Sequence, residues 1–252
     1  EWLDRLLAPV SAAALERAAA APGERVVDVG CGCGTTTLAL AATGAAAWGI
    51  DVSEPMLARA RERARRAENV AFAVTDAATQ SFTPDHQLIF SRFGVMFFED
   101  PHAAFANLRT GLAPEGRLCF TCWQEPRRNP WMSIAGAAVQ PFLPEPEVAP
   151  DPREPGPFAF AEEAYVREIL TAAGFAEIGI DAVTPTLHVA DSLEDAVAAF
   201  SKVGPLSRVL AELEPQARGA AIEAARAALA EHVTDAGLDL PAACWLVTAR
   251  PG

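Results

Sequence analysis

Three glycines in five positions, Gly30-Cys-Gly-Cys-Gly34, stand between an apolar run, Arg25–Val29, and a segment of helical composition, Thr35–Ala42. A strand that turns at once into a helix through residues without Cβ is a strict local instruction. Glycine enters left-handed backbone without steric cost, so the turn can be tight and a ligand can press against bare main chain. The helix that follows presents unpaired N–H groups in its first turn. A plain strand-to-helix turn does not need this density of glycine. The segment therefore reads as a ligand-holding strand–turn–helix, and a carboxylate or a sugar edge suits it as well as a phosphate.

The alternation continues. Strands are expected at 46–51, 70–75, 87–93 and 117–123, and helices at 54–67, with Ser53 as cap, and at 101–112. Alternation of this kind implies a parallel sheet with helices on both faces. A helix over Leu3–Ala20 precedes it and Pro22-Gly23 stops it; Ala113-Pro-Glu-Gly116 reads as a turn. The pattern breaks at 126–157, which holds nine of the chain's twenty prolines and reads as an insertion over the sheet edge with one short helix at 131–139. A helix at 161–173, a strand at 177–183, two or three helices over 191–230 and a last strand at 242–249 complete the chain.

Composition narrows the function. At 252 residues, 51% hydrophobic, the chain can bury a sizeable core as one large domain or two small ones. Its net charge of −13 repels phosphate backbones and anionic membranes, so neither nucleic acid nor a membrane is expected as partner. No apolar run has the length of a membrane span. Five cysteines are an odd count for a disulfide framework, and a reducing cytoplasm is expected. The first residues, Glu1-Trp-Leu-Asp4, lack Met and signal character and read as a start partway through a helix. The run Arg59, Arg61, Arg63, Arg65 and Arg66 reads as a solvated helix face.

Asp51 ends the second strand about twenty residues after Gly30, which places a carboxylate beside the glycine turn to accept hydrogen bonds from ribose hydroxyls. A dinucleotide-binding fingerprint is the rival. That pattern needs Gly or Ala at its sixth position, where this chain has Thr35; the third glycine comes one residue early, at Gly34, which argues against a pyrophosphate.

Asp28-Val-Gly-Cys-Gly-Cys-Gly34, Gly49-Ile-Asp-Val-Ser53, Val74-Thr-Asp-Ala77 and Leu112-Ala-Pro-Glu-Gly-Arg-Leu118, in this order, resemble a class I S-adenosylmethionine-dependent methyltransferase. Ser91-Arg-Phe-Gly-Val-Met-Phe-Phe98 with Trp123-Gln124 and Asn129-Pro-Trp131 resembles a bacterial branch acting on small molecules. The resemblance implies an α/β, Rossmann-like, seven-stranded mixed sheet of order 3-2-1-4-5-7-6. Its last strand is antiparallel, with helices on both faces and an additional helical and loop cover. It also implies one domain over 1–252: an N-terminal helix at 1–22, a cofactor-binding core at 23–123, a Pro-rich insertion at 124–160 and a C-terminal part at 161–252 with a helical lid near 191–235. By the same resemblance, S-adenosylmethionine is the cofactor and S-adenosylhomocysteine the product. Gly30, Gly32 and Gly34 line its methionine and ribose portion, and Asp28 helps orient the amine from below. Asp51 takes the ribose hydroxyls, Val52 and Met56 flank the adenine, Asp76 and Ala77 meet its edge, and Ser91 meets the methionine end. Two departures are visible: Gln87 stands where the family often has an acidic residue, and Glu115 where it often has glycine.

The implied chemistry is an in-line displacement at a sulfonium methyl, which gains most from proximity and orientation. A base is needed only for an acceptor that is protonated. His102 and His188 are weak catalytic candidates; His86 and His232 read as surface residues and Tyr165 as packing. Phe93, Phe97, Trp123 and Trp131, with Met96 and Phe98, suggest a partly hydrophobic acceptor pocket, roofed by the N-terminal helix, the insertion and the lid. Arg92 is expected to pair with Glu99 or Asp100, or else with a carboxylate of the acceptor. Cys119 and Cys122 lie three apart in a strand and so face opposite sides, which excludes a shared metal; no metal site is expected. The function expected is methyl transfer to a small molecule by a monomer or homodimer. The alternatives are a protein that binds the cofactor without methylating and an NAD-dependent oxidoreductase.

Overall fold

The computed structural model describes residues 2–143, 151–202 and 205–252. Helices α1 (Trp2–Leu6) and α2 (Ala8–Ala18) lead into β1 (Arg25–Val29), α3 (Thr35–Ala42), β2 (Ala46–Asp51), α4 (Glu54–Arg63), β3 (Val70–Val74) and β4 (His86–Arg92). Then come α5 (Pro101–Thr110), β5 (Leu112–Trp123), α6 (Pro130–Val139), α7 (Glu163–Ala172), β6 (Phe175–Val183) and β7 (Thr186–Ala190). The chain ends with α8 (Leu193–Phe200), α9 (Pro205–Glu212), α10 (Pro215–Ala230), β8 (Val233–Thr234), β9 (Gly237–Pro241) and β10 (Cys244–Pro251). The described residues group into two compact units.

The larger unit, from residues 10–124, 152–183 and 244–252, holds a seven-stranded sheet of order β3-β2-β1-β4-β5-β10-β6. β10 runs antiparallel between β5 and β6, the arrangement the sequence implied. β1 is central, paired in parallel with β2 and β4. Its residues Val26 to Val29 are buried in sequence rather than in alternation, because helices cover both faces of the sheet. One face packs Val26, Leu88, Phe90 and Leu246 against Ala14, Ala18 and Leu40 of α2 and α3. The expected single N-terminal helix is divided at Leu7, and Pro9 sits in the first turn of α2, where its missing N–H costs nothing. The expected turn at 113–116 is a bulge inside β5, where the register against β4 shifts between His86 and Leu88. Asp100 caps α5 by accepting from Ala103 N at 3.0 Å. Ser53 stands at the N-cap of α4, but its side chain makes no capping bond, contrary to expectation.

In the smaller unit, from the described residues of 1–9, 125–151 and 184–243, the helices expected at 131–139 and over 191–230 are present as α6 and as α8, α9 and α10, while β7, β8 and β9 were not expected. α10 packs along α6 through Ala221, Ala225 and Leu229. Beside the helices stands a three-stranded antiparallel sheet of order β7-β9-β8. Its alternation is short but real: Leu187 and Val189 are buried while His188 is exposed, and Leu238 and Leu240 are buried around exposed Asp239. Asn129, fully buried, accepts from Ala243 N at 2.9 Å and donates to Ala243 O at 2.9 Å. Positions 144–150 of the expected insertion and 203–204 of the expected lid lie outside the described residues. No described helix is long and apolar enough to cross a membrane.

One polar hub joins four segments of the larger unit. Arg117 of β5 donates to both carboxylate oxygens of Glu24 at 2.9 and 2.8 Å, to Ala18 O and Ala19 O at the end of α2, and to Gln87 O. Gln87 Oε1 in turn accepts from Arg25 N at 2.8 Å, so the residue that departs from the family pattern braces β1 against β4. The Arg117 guanidinium holds the Glu24 carboxyl below its usual 4.5. A depressed carboxyl adds stability that is complete above its unfolded value and is lost as pH falls through the folded one. Glu24→Gln is therefore expected to lower unfolding stability at pH 7 by about 1–3 kcal/mol. The gap to the unmodified protein should close as pH falls below about 4.5, which urea denaturation across pH measures directly.

Candidate functional site

The glycine turn is held from three sides. Gly30, Gly32 and Gly34 all have left-handed backbone, with φ of +66°, +54° and +78°. Gly30 N and Cys31 N both donate to Ile50 O at the end of β2. A Cβ on Gly30 would lie 2.7 Å from Gly94 Cα, so the turns after β1 and β4 touch backbone to backbone. A Cβ on Gly34 would lie 2.9 Å from the Phe72 ring, so this glycine serves packing against β3. Ser91, fully buried, donates to Val29 O at 2.8 Å and accepts from Gly94 N at 3.2 Å, which locks the same junction.

Asp28 lies beneath the turn with no exposed surface. Its Oδ2 accepts from the hydroxyls of Thr36 and Thr37 at 2.7 and 2.6 Å, tying β1 to the first turn of α3. Oδ1 is buried without a hydrogen-bond partner. Loss of water outweighs the two hydroxyl bonds and pushes the carboxyl up from 3.8 to about 6. The sign follows: this group stabilises the fold most at acid pH, and that contribution is lost as pH rises through about 6.

A cavity of about 620 Å³ opens at the carboxyl ends of β1 to β4, of a size suited to a small-molecule ligand. Gly30, Gly32 and Asp51 form its floor, with Val52 and Met56 beyond β2 and Asp76 and Ala77 beyond β3. Phe93 and Phe97 line it on the β4 side. Asp51 is fixed in place: Oδ2 accepts from Gly32 N at 2.8 Å and Oδ1 from Ser53 N at 2.9 Å. Each carboxylate oxygen keeps a further lone pair for a ligand. A second depression of about 480 Å³, which includes Trp48, Glu68 and His86, lies at the opposite, amino ends of the strands. None of the loops that follow the strands lines it. Ligands of open α/β sheets bind at the carboxyl ends, which selects the larger cavity.

Nine of the expected site residues thus line one cavity: Gly30, Gly32, Asp51, Val52, Met56, Asp76, Ala77, Phe93 and Phe97. Asp28, Gly34 and Ser91 support it from below, as described. Trp123 is buried and stacks flat on Phe93, with ring centroids 3.9 Å apart and planes 8° from parallel, so it backs a lining residue without lining the cavity itself. Trp131 is buried on α6 and His188 lies on β7, both in the smaller unit. His188 is exposed and contacts Asp239 at 2.7 Å and Asp191 at 3.1 Å, carboxylates that raise its pKa. His102 lies 3.3 Å from Glu168 on the exposed surface and does not line the cavity. His86, read as a surface residue, is instead buried: its Nδ1 lies 3.0 Å from Gly111 O and the ring stacks on Trp48. Arg92 donates to Ser11 Oγ at 2.8 Å, a contact with α2 that the sequence did not suggest. Cys119 and Cys122 are buried on opposite sides of β5, directed at Ala14 O and Phe160 O. Among the described residues, no three His, Cys, Asp or Glu side chains are grouped to hold a metal ion.

The sequence reading missed Thr75, Ala78 and Thr79 after β3, and Gly94 and Ala103 after β4. Their signal was positional: each follows the end of an expected strand, where such folds place their ligand loops. Phe98, expected in the acceptor pocket, also lines the cavity, as do Glu99 and Asp100, which were expected only as partners for Arg92.

With this geometry in hand, comparison with known proteins is decisive for the core. Residues 26–116 match the sequence model of a family described as a methyltransferase domain. This segment is therefore similar to a methyltransferase domain. A demethylmenaquinone methyltransferase of Tropheryma whipplei (strain Twist) is 33% identical over 106 residues, 42% of this chain and 44% of that protein. The chain thus spans less than half the length of the curated relatives it matches. Among solved structures, phosphoethanolamine N-methyltransferase 2 of Haemonchus contortus, in complex with S-adenosyl-L-methionine, superposes with a TM-score of 0.61 at 21% identity, covering 97% of this chain and 53% of that one. The cyclase SpnF superposes with a TM-score of 0.60 at 20% identity, covering 96% of this chain and 80% of that one. These two structures share the fold of the methyltransferase domain.

The turn of this domain makes two glycine positions comparable. Left-handed backbone costs a residue with Cβ roughly 1–2 kcal/mol at either. At Gly32 the new Cβ meets only the flexible Met56 Cε, at 2.9 Å, whereas at Gly30 it meets main chain. Gly32→Ala is expected to lower stability by about 1 kcal/mol and Gly30→Ala by more than about 2 kcal/mol. Denaturant midpoints of the two variants, measured side by side, check the order.

Proposed function

We propose that the chain transfers a methyl group from S-adenosylmethionine to a small-molecule acceptor, releasing S-adenosylhomocysteine. The observation that carries this is one cavity with two chemically distinct sides. On one side stand a bare glycine floor and the carboxylates of Asp51 and Asp76; on the other stand the rings of Phe93, Phe97 and Phe98. The residues fit the cofactor: a Cβ at Gly32 would reach Met56 across the floor, and Asp51 is already oriented by two backbone donors.

When bound, the cofactor supplies an electrophilic methyl on a sulfonium. The chain's own part is to bind and orient. Asp51 accepts from the ribose hydroxyls, Asp76 and the main chain of Ala77 meet the adenine edge, and Val52 and Met56 cover its faces. Phe93 and Phe97 present an apolar surface for the acceptor, which accords with a relative named for demethylmenaquinone. Among the described lining residues there is no His, Lys or Tyr. Proximity and orientation then carry most of the displacement. Net charge of −13 supports small-molecule rather than nucleic-acid chemistry.

A second reading, binding of the cofactor without methyl transfer, is favoured by one observation: SpnF, named a cyclase, shares the fold. Mass spectrometry of the protein incubated with S-adenosylmethionine and a metabolite pool separates the two, since only a transferase yields a product about 14 Da heavier than its acceptor. Thermal shift with NADH beside S-adenosylmethionine tests the oxidoreductase alternative.

Asp51→Ala removes both the proposed ribose acceptor and the bond that orients Gly32. Hydrogen bonds to charged groups contribute roughly 1.5–3 kcal/mol each, so calorimetric affinity for S-adenosylmethionine should fall at least about tenfold while the circular dichroism spectrum is retained. Unchanged affinity would remove Asp51 from the site.

A further inference from the structure

His188 of β7 has a carboxylate oxygen at each of its two ring nitrogens. Asp239 Oδ1 lies 2.7 Å from Nδ1, and Asp191 Oδ1 lies 3.1 Å from Nε2. An ionised carboxylate only accepts, and a neutral imidazole has one N–H to give. Both contacts are hydrogen bonds only when both nitrogens carry a proton. With one proton removed, a ring lone pair would face an oxygen lone pair at hydrogen-bond distance. The arrangement is that of an imidazolium between two anions.

The ring joins separate pieces of the smaller unit. His188 and Asp239 stand directly opposite each other in the β7–β9 ladder, and the register shifts between His188 and Ala190. There Gly237 brings its main chain close: a Cβ on it would lie 2.4 Å from Ala190 O and 3.2 Å from His188 Cε1. Asp191 immediately precedes Ser192, which caps α8 by accepting from Asp195 N at 3.1 Å. One ring thus reaches from β9 to the entry of α8. The other charged groups on the surrounding segments are Asp4 and Arg5 of α1, Glu194 and Asp195 of α8 and Asp235 of the β8–β9 turn. Glu194 pairs with Arg226 at 3.0 Å, and Asp195 accepts from the Ser192 hydroxyl at 2.7 Å. The charges that act on the ring are those of Asp239 and Asp191; the bond to Asp239, then that to Asp191, raises the His188 pKa above its usual 6.5.

We propose that Asp239, His188 and Asp191 form a proton-operated clasp, in which the imidazolium ties the β7–β9 ladder to the entry of α8 and loss of one proton releases the longer contact, to Asp191. The proton leaves Nε2 for solvent, Nδ1–H stays on Asp239, and no other bond is made or broken. The sign follows: a raised histidine adds stability that is complete below its unfolded value and is lost as pH rises through the folded one. The clasp is closed in mildly acidic solution and open in alkaline solution. It belongs to the smaller unit alone and does not rest on the function proposed above.

Nitrogen-15 NMR of the His188 ring and of the amides from Ser192 to Asp195, titrated from about pH 5 to about pH 9, tests this. At mildly acidic pH both ring nitrogens should be protonated. The ring midpoint should lie above 6.5, and the α8 amides should shift with that same midpoint. Asp239→Asn and Asp191→Asn should each lower the midpoint, the first by more because its contact is shorter. Asp191→Asn should also uncouple the α8 amides from the ring. His188→Gln identifies the ring signals and should leave those amides flat across the range. All three side chains are exposed, so the substitutions do not open the core. A midpoint at or below 6.5, a midpoint unmoved by both Asn substitutions, or α8 amides that ignore the titration of the ring overturns the clasp.

Discussion

The approach of Gly30 to Gly94 is the contact on which the site depends. β1 lies between β2 and β4, and the chain leaves both β1 and β4 at the same edge. The two departing turns can meet only where neither carries a side chain; a Cβ on Gly30 would stand 2.7 Å from Gly94 Cα, and one on Gly94 would stand 2.9 Å from Gly30 Cα. Because they meet, Ser91 can reach both Val29 O and Gly94 N, and Phe93 is forced into left-handed backbone with its ring on Trp123. The cavity floor and one wall are thus set by a single juxtaposition of main chain.

Beneath that contact the chain tolerates a costly group. Asp28 is wholly buried and only half satisfied, with Oδ1 unpartnered. The carboxyl opposes stability at neutral pH, yet its two hydroxyl bonds fix the angle at which α3 leaves the turn. Removal of either the Thr36 or the Thr37 hydroxyl would leave the buried carboxyl with one hydroxyl bond instead of two. Asp51 does the complementary task from above, where one carboxylate orients both Gly32 N and Ser53 N. The turn is therefore organised before any ligand arrives, which lowers the ordering cost of binding.

Much of this was legible in the residues. Strand–helix alternation implied the parallel core, and the family resemblance implied the antiparallel insertion of the last strand, β10 between β5 and β6. The glycines and Asp51 declared the floor of the cavity because their chemistry is unusual for plain turns. What escaped was whatever depends on a partner distant in sequence. His86 reads as polar and exposed until Gly111 O, 25 residues on, is brought to its ring nitrogen. Arg92 finds Ser11, across 81 positions, rather than the neighbouring acids. The β7-β9-β8 sheet escaped for a different reason. Its strands run to two to five residues, too short for alternation to stand out from loop composition, and Gly237 with φ of +97° makes the hairpin between β8 and β9.

The composition of the cavity wall bears on mechanism. For the proposed methyl transfer, the described lining residues include carboxylates but no His, Lys or Tyr, so the weight falls on where groups are held. Such catalysis is exacting in geometry, since a displacement of about 1 Å can cost two orders of magnitude. The structural features fit that demand. Phe93 is held by a ring stack and a strained backbone rather than by a free rotamer, Asp51 by two main-chain donors, and the glycine turn by Ile50 O and Gly94. Rigidity has been placed where the turns after β1 and β4 meet. The exposed groups, Val52, Met56 and Phe97, line the cavity away from that buried junction.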